Sequence, residues 1–186
     1  MSDNAPDTDA APSLPPPPTP PKGLPNWHPA YLISTAFGIG HLPKAPGTWA
    51  SAITLPFALG IYYLGGPPVL LLFVVYLFCI GWWSAQVYVK RRMAQDPAEI
   101  VVDEIAAQLL VFVFAPPTWY NLIIGFLLFR AFDIWKPWPI RWADRVIGGG
   151  FGVMFDDILA ALYAGGLLWL INSIIAANAA APAVMP

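Results

Sequence analysis

Two pairs of adjacent carboxylates lie in parts of the sequence that are otherwise apolar. Asp103 and Glu104 precede an uncharged run that extends to Phe129, and Asp156 and Asp157 precede another that extends to the end of the chain. A carboxylate at the centre of a membrane helix costs roughly 2.5 kcal/mol or more, so such residues usually face the bundle interior and mark function. The alternatives are that the first pair reaches headgroup water or pairs with an arginine, and that the second pair stabilises a helix start through its dipole.

The stretch "RAFDIWKPWPIRWADR" at 130–145 adds charges of both signs. Arg130 and Asp133 are three residues apart and would share one helix face. Lys136 and Arg141 follow them. Cations beside carboxylates either neutralise them or hold an anion, arginine in bidentate fashion and lysine as a point charge. The three tryptophans of the stretch are typical of a membrane interface.

Carboxylates gathered in a region of low dielectric repel one another unless a cation lies among them. Hard oxygen ligands of this kind suit Mg²⁺, Mn²⁺ or Ca²⁺. A zinc site is poorly supported, because His28 and His41 lie in another region and Cys79 lies within an apolar run. The sequence also lacks the local motifs of cysteine and histidine phosphatases.

Two further segments resemble anion sites. In "HLPKAPGTWAS", Thr48 is predicted to cap a helix whose free N–H groups could bind an anion, with Lys44 four residues upstream. Capping alone is the alternative for Thr48. The run "GGGFG" at 148–152 lacks the GK[ST] ending of a nucleotide P-loop, which favours a hinge over a phosphate cradle.

The composition indicates that a bilayer is the solvent of these elements. Hydrophobic residues make up 58% of the 186 residues and charged residues only 11%, against roughly a quarter charged in ordinary soluble domains. The net charge of −2 excludes the basic field of a nucleic-acid binder. The proline-rich residues 1–25 are predicted to form a disordered tail. Residues 26–178 would form the membrane-embedded domain and residues 179–186 a flexible C-terminal tail.

The pattern predicts an all-α fold, a small polytopic membrane helix bundle with about five main helices. "GGPP" at 65–68 is a natural hairpin turn between the first two helices, and Asp96-Pro97 resembles a helix start. A further interfacial or buried helix is possible within residues 27–42. The five predicted helices span residues 49–64, 69–89, 97–115, 118–135 and 153–177.

On this topology every charge beyond the tail falls on one side of the membrane, and the turns "GGPP" and "PP" on the opposite side carry none. Because the charged side holds the lysines and arginines, it is predicted to be cytoplasmic. One end of the bundle is therefore expected to carry the chemistry.

Four motifs then resemble one family in their order and spacing. "FGIGHLPKAPGTWAS", "DPAEIVVDE", "FRAFDIWKPWPIRWADR" and "GGGFGVMFDDILA" are similar to those of phosphatidylglycerophosphatase A, over about residues 27–175. The resemblance implies a small, helical, multi-pass protein of the bacterial inner membrane. It also implies Mg²⁺-dependent removal of the terminal phosphate from phosphatidylglycerol phosphate. Glycines that are frequent in the family are replaced here by Ala50, Ala107 and Ala161.

With this resemblance, roles are expected for the candidate residues, with water or a carboxylate as nucleophile. A membrane transporter or a cation or proton channel is the alternative, a membrane scaffold is a third, and the oligomeric state stays open. Metal binding is expected of Asp103, Glu104, Asp156 and Asp157, a catalytic role also of Asp133, and substrate binding of Lys44, Thr48, Arg130, Lys136 and Arg141.

Overall fold

The chain folds into a helical bundle. The computed structural model describes residues 24–92 and 97–180, and these ranges contain helices, turns and loops but no strand. The predicted all-α class is confirmed. The helices are α1 (Pro29–Ser34), α2 (Pro46–Arg92), α3 (Val102–Val111), α4 (Trp119–Trp135), α5 (Ile140–Val146) and α6 (Gly149–Ala180), with a 3-10 turn at Ile39–His41 after α1.

Helix α2 is a hairpin of two helical arms. Its backbone leaves the helical region at Gly65 and Gly66, where Gly66 has a φ of 68°, a left-handed value that suits glycine. The two ends of α2 lie near one cavity, since Gly47 lines it and Gln86 contacts Gly149, which also lines it. A straight helix would separate residues 47 and 86 by about 58 Å. The predicted turn at "GGPP" is confirmed.

Helix α3 is shorter than predicted. It begins at Val102 rather than Pro97, because the N–H of Val101 donates to Ser34 O at 2.8 Å and the N–H of Ile100 closes a turn onto Pro97 O. These bonds fix residues 97–101 as a non-helical strap against α1. The proposed N-cap, Asp96, lies outside the described residues. Ten residues rise only about 15 Å, so α3 is a buried half-length helix and not a full membrane crossing.

Helix α6 is longer than predicted, because the glycine run belongs to its first turns. A Cβ at Gly150 would overlap backbone atoms of Gln86 and Trp82 in α2. The glycines therefore permit close packing of two helices, and the prediction of a hinge at 148–152 was wrong. The short helix α5 was not predicted; it follows the proline-containing turn after α4.

The outside of the bundle is apolar. Helix α2, over Pro46–Arg91, and helix α6 are long and apolar enough to cross a membrane. Large hydrophobic side chains such as Phe57, Leu72 and Trp169 are exposed on these helices, as expected where lipid replaces water. Residues 1–23 of the predicted tail and residues 181–186 lie outside the described residues.

Candidate functional site

The charged ends of the helices converge on one cavity of about 460 Å³, called here the carboxylate cavity. The start of α2, the strap and start of α3, the end of α4 and the first turns of α6 all line it. Seven predicted site residues meet there, although they are separated by up to 54 positions in sequence. They are Asp103, Glu104, Arg130, Asp133, Lys136, Asp156 and Asp157.

Three of these carboxylates form a tight group, called here the acidic trio. Asp103, Glu104 and Asp157 each place one oxygen within 4.8 Å of the others. Asp103 and Asp157 are only 8% and 5% exposed. Within the described residues, Glu104 Oε2 and Asp157 Oδ2 are buried without a hydrogen-bond partner. Buried anionic oxygens that lack donors are costly unless a cation lies among them, so the trio fits a hard divalent cation.

The trio depends on a glycine that the sequence analysis did not single out. Gly47, in the first turn of α2, lies directly against the Glu104 carboxyl group, and a Cβ on it would overlap that group. Helix α2 begins at Pro46, because proline suits the first helical position. Gly47 therefore lets the start of α2 approach the acidic trio closely.

Arg130 borders the trio from the end of α4. Its Nη1 lies 2.7 Å from Asp133 Oδ2 and 3.9 Å from Glu104 Oε1. The three-residue spacing predicted for Arg130 and Asp133 does place them side by side. Asp133 contacts the guanidinium at close range, and its carboxyl group also lies beside that of Asp157. Its position is therefore compatible with orientation of Arg130 and with metal binding.

Lys136 ends α4 and turns back into the cavity. Its backbone adopts a left-handed conformation, with φ 46° and ψ 63°, which is uncommon for a residue other than glycine. Its Nζ lies 2.6 Å from both Asp144 Oδ1 and Asp156 Oδ2. Burial lowers the pKa of the amine, but the hydrogen bonds to the two aspartates outweigh it, so the pKa of Lys136 is raised and the amine stays protonated.

This arrangement separates Asp156 from the residue beside it. Asp157 belongs to the acidic trio, whereas Asp156 accepts a hydrogen bond from Lys136. Successive helical residues point about 100° apart, which explains why the adjacent pair divides between two neighbourhoods. Asp144, the second partner of Lys136, was not among the predicted site residues.

Three predicted substrate residues do not line the carboxylate cavity. Lys44 is exposed in the loop before α2. Thr48 is the third residue of α2 and not its N-cap, since its N–H already donates to Ala45 O. Arg141 donates through Nη2 to Trp135 O at 3.1 Å and lines a different cavity. Their predicted roles at the phosphate therefore have no support from this geometry.

The glycine run does not form a phosphate cradle at Gly150. The N–H of Gly150 donates to Gln86 Oε1 at 3.0 Å. Gly148, Gly149 and Gly152 do line the carboxylate cavity, where they add backbone without side chains. They contribute space beside the charged groups.

The far end of the bundle is not free of polar groups. Asn121 in α4 and Asn172 in α6 exchange side-chain hydrogen bonds of 3.2 and 3.0 Å. Their amides also donate to Pro116 O and Leu168 O, both at 2.8 Å. The polar groups of both side chains are therefore hydrogen-bonded within the protein, as is common between membrane helices. This pair is called here the amide lock. It offers no charged group to continue an ion path from the carboxylate cavity.

Comparison with known proteins bears on what this site does. The sequence profile of the phosphatidylglycerophosphatase A family matches residues 32–172, a range that contains the acidic trio, Arg130 and Lys136. No solved structure matches the chain significantly.

Curated relatives agree with the profile. The chain is 38% identical to phosphatidylglycerophosphatase A of Escherichia coli over 78% of its own length and 83% of the relative. It is 36% identical to phosphatidylglycerophosphatase A of Haemophilus influenzae, over 74% and 85%. A putative phosphatidylinositol-3-phosphatase of Bacteroides thetaiotaomicron is also 36% identical, over 71% and 86%.

Proposed function

The chain belongs to the phosphatidylglycerophosphatase A family and is a phosphatase, and from this premise we propose that it hydrolyses phosphatidylglycerol phosphate with Mg²⁺ at the cytoplasmic face of a bacterial inner membrane. The products are phosphatidylglycerol and phosphate, and one water molecule is consumed as the phosphorus–oxygen bond of the monoester breaks. The observation that carries the proposal is the buried acidic trio, with two cations on the wall of the same cavity.

The acidic trio would hold the metal. Asp103, Glu104 and Asp157 supply hard oxygen donors, and two of their oxygens are buried without a donor among the described residues. When bound there, Mg²⁺ would polarise a phosphoryl oxygen and lower the pKa of a coordinated water. The placement of Asp156 beside Lys136 favours three protein ligands over the four expected from sequence.

The two cations would face the phosphate. Arg130 and Lys136 both line the carboxylate cavity, and the guanidinium can bind two phosphate oxygens while the ammonium acts as a point charge. Asp133 would fix the guanidinium, and Asp144 and Asp156 would fix the amine. Positive groups held in advance cost no reorganisation when charge develops on the phosphoryl oxygens.

The charges at the ends of the helices support the proposed membrane placement. The carboxylate cavity lies at the end of the bundle that carries Lys90, Arg91 and the charges of 130–145, and the Asn121–Asn172 pair lies at the other. An excess of lysine and arginine favours the cytoplasmic side. Labelling of a Lys44→Cys, Cys79→Ser variant in intact spheroplasts and in inverted vesicles tests this. Reaction with a membrane-impermeant maleimide only in inverted vesicles is expected, and reaction in intact spheroplasts would reverse the orientation.

The activity is tested with purified protein and detergent-solubilised phosphatidylglycerol phosphate. Phosphate release should require Mg²⁺, stop on addition of a chelator and return when Mg²⁺ is restored. Asp103→Asn, Glu104→Gln and Asp157→Asn should each reduce turnover by at least about 100-fold, as expected when preorganised electrostatic groups are lost. Glu99→Gln is the matched control, because Glu99 is a nearby carboxylate that does not line the cavity.

Two results would contradict parts of this proposal. Metal-independent hydrolysis by folded protein would exclude the role of the acidic trio. Faster release from phosphatidylinositol 3-phosphate than from phosphatidylglycerol phosphate would reassign the substrate toward that named for the Bacteroides thetaiotaomicron relative. The transporter alternative loses its main support, since the family is one of phosphatases and the far end of the bundle carries a self-paired amide lock.

A further inference from the structure

A second cavity lies on the outer side of α5 and shares no lining residue with the carboxylate cavity. Its volume is about 530 Å³, and it is called here the α5 groove. Three tryptophans and two arginines form most of its wall: Trp135, Trp138, Trp142, Arg141 and Arg145. The tryptophans are 69%, 80% and 53% exposed. Exposed indoles with a polar edge are typical of the depth at which lipid headgroups meet hydrocarbon.

The charge of the α5 groove is not compensated by any residue that the structure describes. No carboxylate is among its lining residues, and the one acid of α5, Asp144, pairs instead with Lys136 in the carboxylate cavity. Arg141 uses one N–H on Trp135 O. Arg145 makes no hydrogen bond or ion pair with any residue in the described part of the chain. The groove therefore presents about two positive charges with most of their donors available.

The spacing of these arginines fits one anionic group. Arg141 and Arg145 are four residues apart, so they lie on adjacent turns of α5 with about 6 Å between their Cβ atoms. Two guanidinium groups at that separation can share the oxygens of one phosphate. The indoles around them leave apolar surface for the glycerol backbone and the upper acyl chain.

The wall of the groove is anchored to the rest of the bundle. The Tyr163 hydroxyl of α6 donates to Trp138 O at 3.3 Å, and Arg141 ties α5 to the last residue of α4. The groove is therefore a formed surface and not a set of independent side chains.

We propose that the α5 groove binds the phosphodiester headgroup of an anionic phospholipid of the surrounding bilayer. We assign the groove to a lipid other than the substrate, because the groove shares no lining residue with the carboxylate cavity. The bound lipid holds α5 at the interface, and α5 carries Asp144, which fixes Lys136. Arg141, expected from sequence to hold the substrate phosphate, is assigned instead to this second lipid.

The test measures lipid preference directly. Full-length protein is reconstituted in vesicles of dioleoyl phosphatidylcholine containing increasing fractions of brominated phosphatidylserine or brominated phosphatidylcholine, and quenching of tryptophan fluorescence is recorded. Phosphatidylserine is anionic and carries no terminal phosphate, so binding is read without hydrolysis. The wild-type protein should prefer phosphatidylserine. The R141Q/R145Q variant should lose at least about fivefold of that preference, since each basic residue near the lipid surface contributes about that factor.

The matched control is K90Q/R91Q, which also removes two exposed positive charges from the same end of the bundle but from neither cavity. It should lose less of the preference than R141Q/R145Q, because charges outside a groove attract anionic lipid only diffusely. Equal loss in both double variants would show a diffuse surface charge and overturn the groove. R145Q alone guards against misfolding, because Arg145 makes no hydrogen bond or ion pair with a described residue. Unchanged preference in folded R145Q and R141Q/R145Q would also overturn the proposal. A failed hydrolysis assay leaves this measurement unaffected.

Discussion

Replacement of Gly47 by alanine tests whether the acidic trio is the reaction centre. Its Cβ would lie 2.6 Å from Glu104 Cδ and closer still to Oε1. To restore normal contact, the carboxyl group must move by about 1 Å, and a misplacement of that size can lower turnover by about 100-fold. The helix itself should not suffer, because alanine is favoured over glycine within a helix by up to about 1 kcal/mol.

The prediction is therefore a loss of activity without a loss of stability. In Gly47→Ala, kcat should fall by about 100-fold, and the Mg²⁺ concentration for half-maximal activity should rise. The melting temperature in detergent should stay near that of the wild type. Phosphate release from phosphatidylglycerol phosphate and thermal unfolding are measured on the same preparations.

The matched control is Gly60→Ala, in the same helix, where an added Cβ meets no atom within 4 Å. It should keep full activity. Wild-type turnover and wild-type Mg²⁺ dependence in Gly47→Ala would refute the reasoning, because they would show that the position of Glu104 does not matter to the reaction.

Three more changes have definite expected outcomes. Lys136→Met should lower kcat/KM by about 100-fold, because two aspartates lose their shared cation and the phosphate loses a positive group. Lys136→Arg should keep more activity. Equal loss in both variants would contradict a role for the charge of Lys136. Asn172→Leu should lower the free energy of unfolding by about 0.6–1.7 kcal/mol, measured in detergent, because Asn121 loses its partner; unchanged stability would show that the amide lock is not needed. Gly150→Ala should cost about 1–3 kcal/mol through overpacking of α6 against α2, whereas Gly166→Ala, with open space around it, should be nearly neutral in the same thermal unfolding measurement.

Local sequence patterns determined the all-α class and the hairpin of this protein. Long uncharged runs predicted apolar helices, and the glycine–proline turn at 65–68 predicted the hairpin within α2. These features could be predicted because helix formation and turn formation depend on residues close together in sequence. The same patterns identified Asp103, Glu104, Asp156 and Asp157 as costly carboxylates, but they did not separate Asp156 from the other three.

Helix boundaries near the site were less predictable. The strap at 97–101 stays non-helical because Val101 donates to Ser34 O, an acceptor almost 70 residues away in sequence. The glycines at 148–152 predicted a hinge, since glycine disfavours a helix. Close packing against α2 requires them, and a local pattern does not report that requirement.

The division of roles among the charges was decided by tertiary structure alone. Asp156 and Asp157 are neighbours in sequence, but in the packed bundle Asp156 contacts Lys136 and Asp157 belongs to the acidic trio. Arg141 faces the α5 groove and not the carboxylate cavity. Charge type and spacing along one helix limit which groups can meet. Which groups do meet depends on how separate helices pack, because a contact across the bundle joins residues whose positions in sequence are independent.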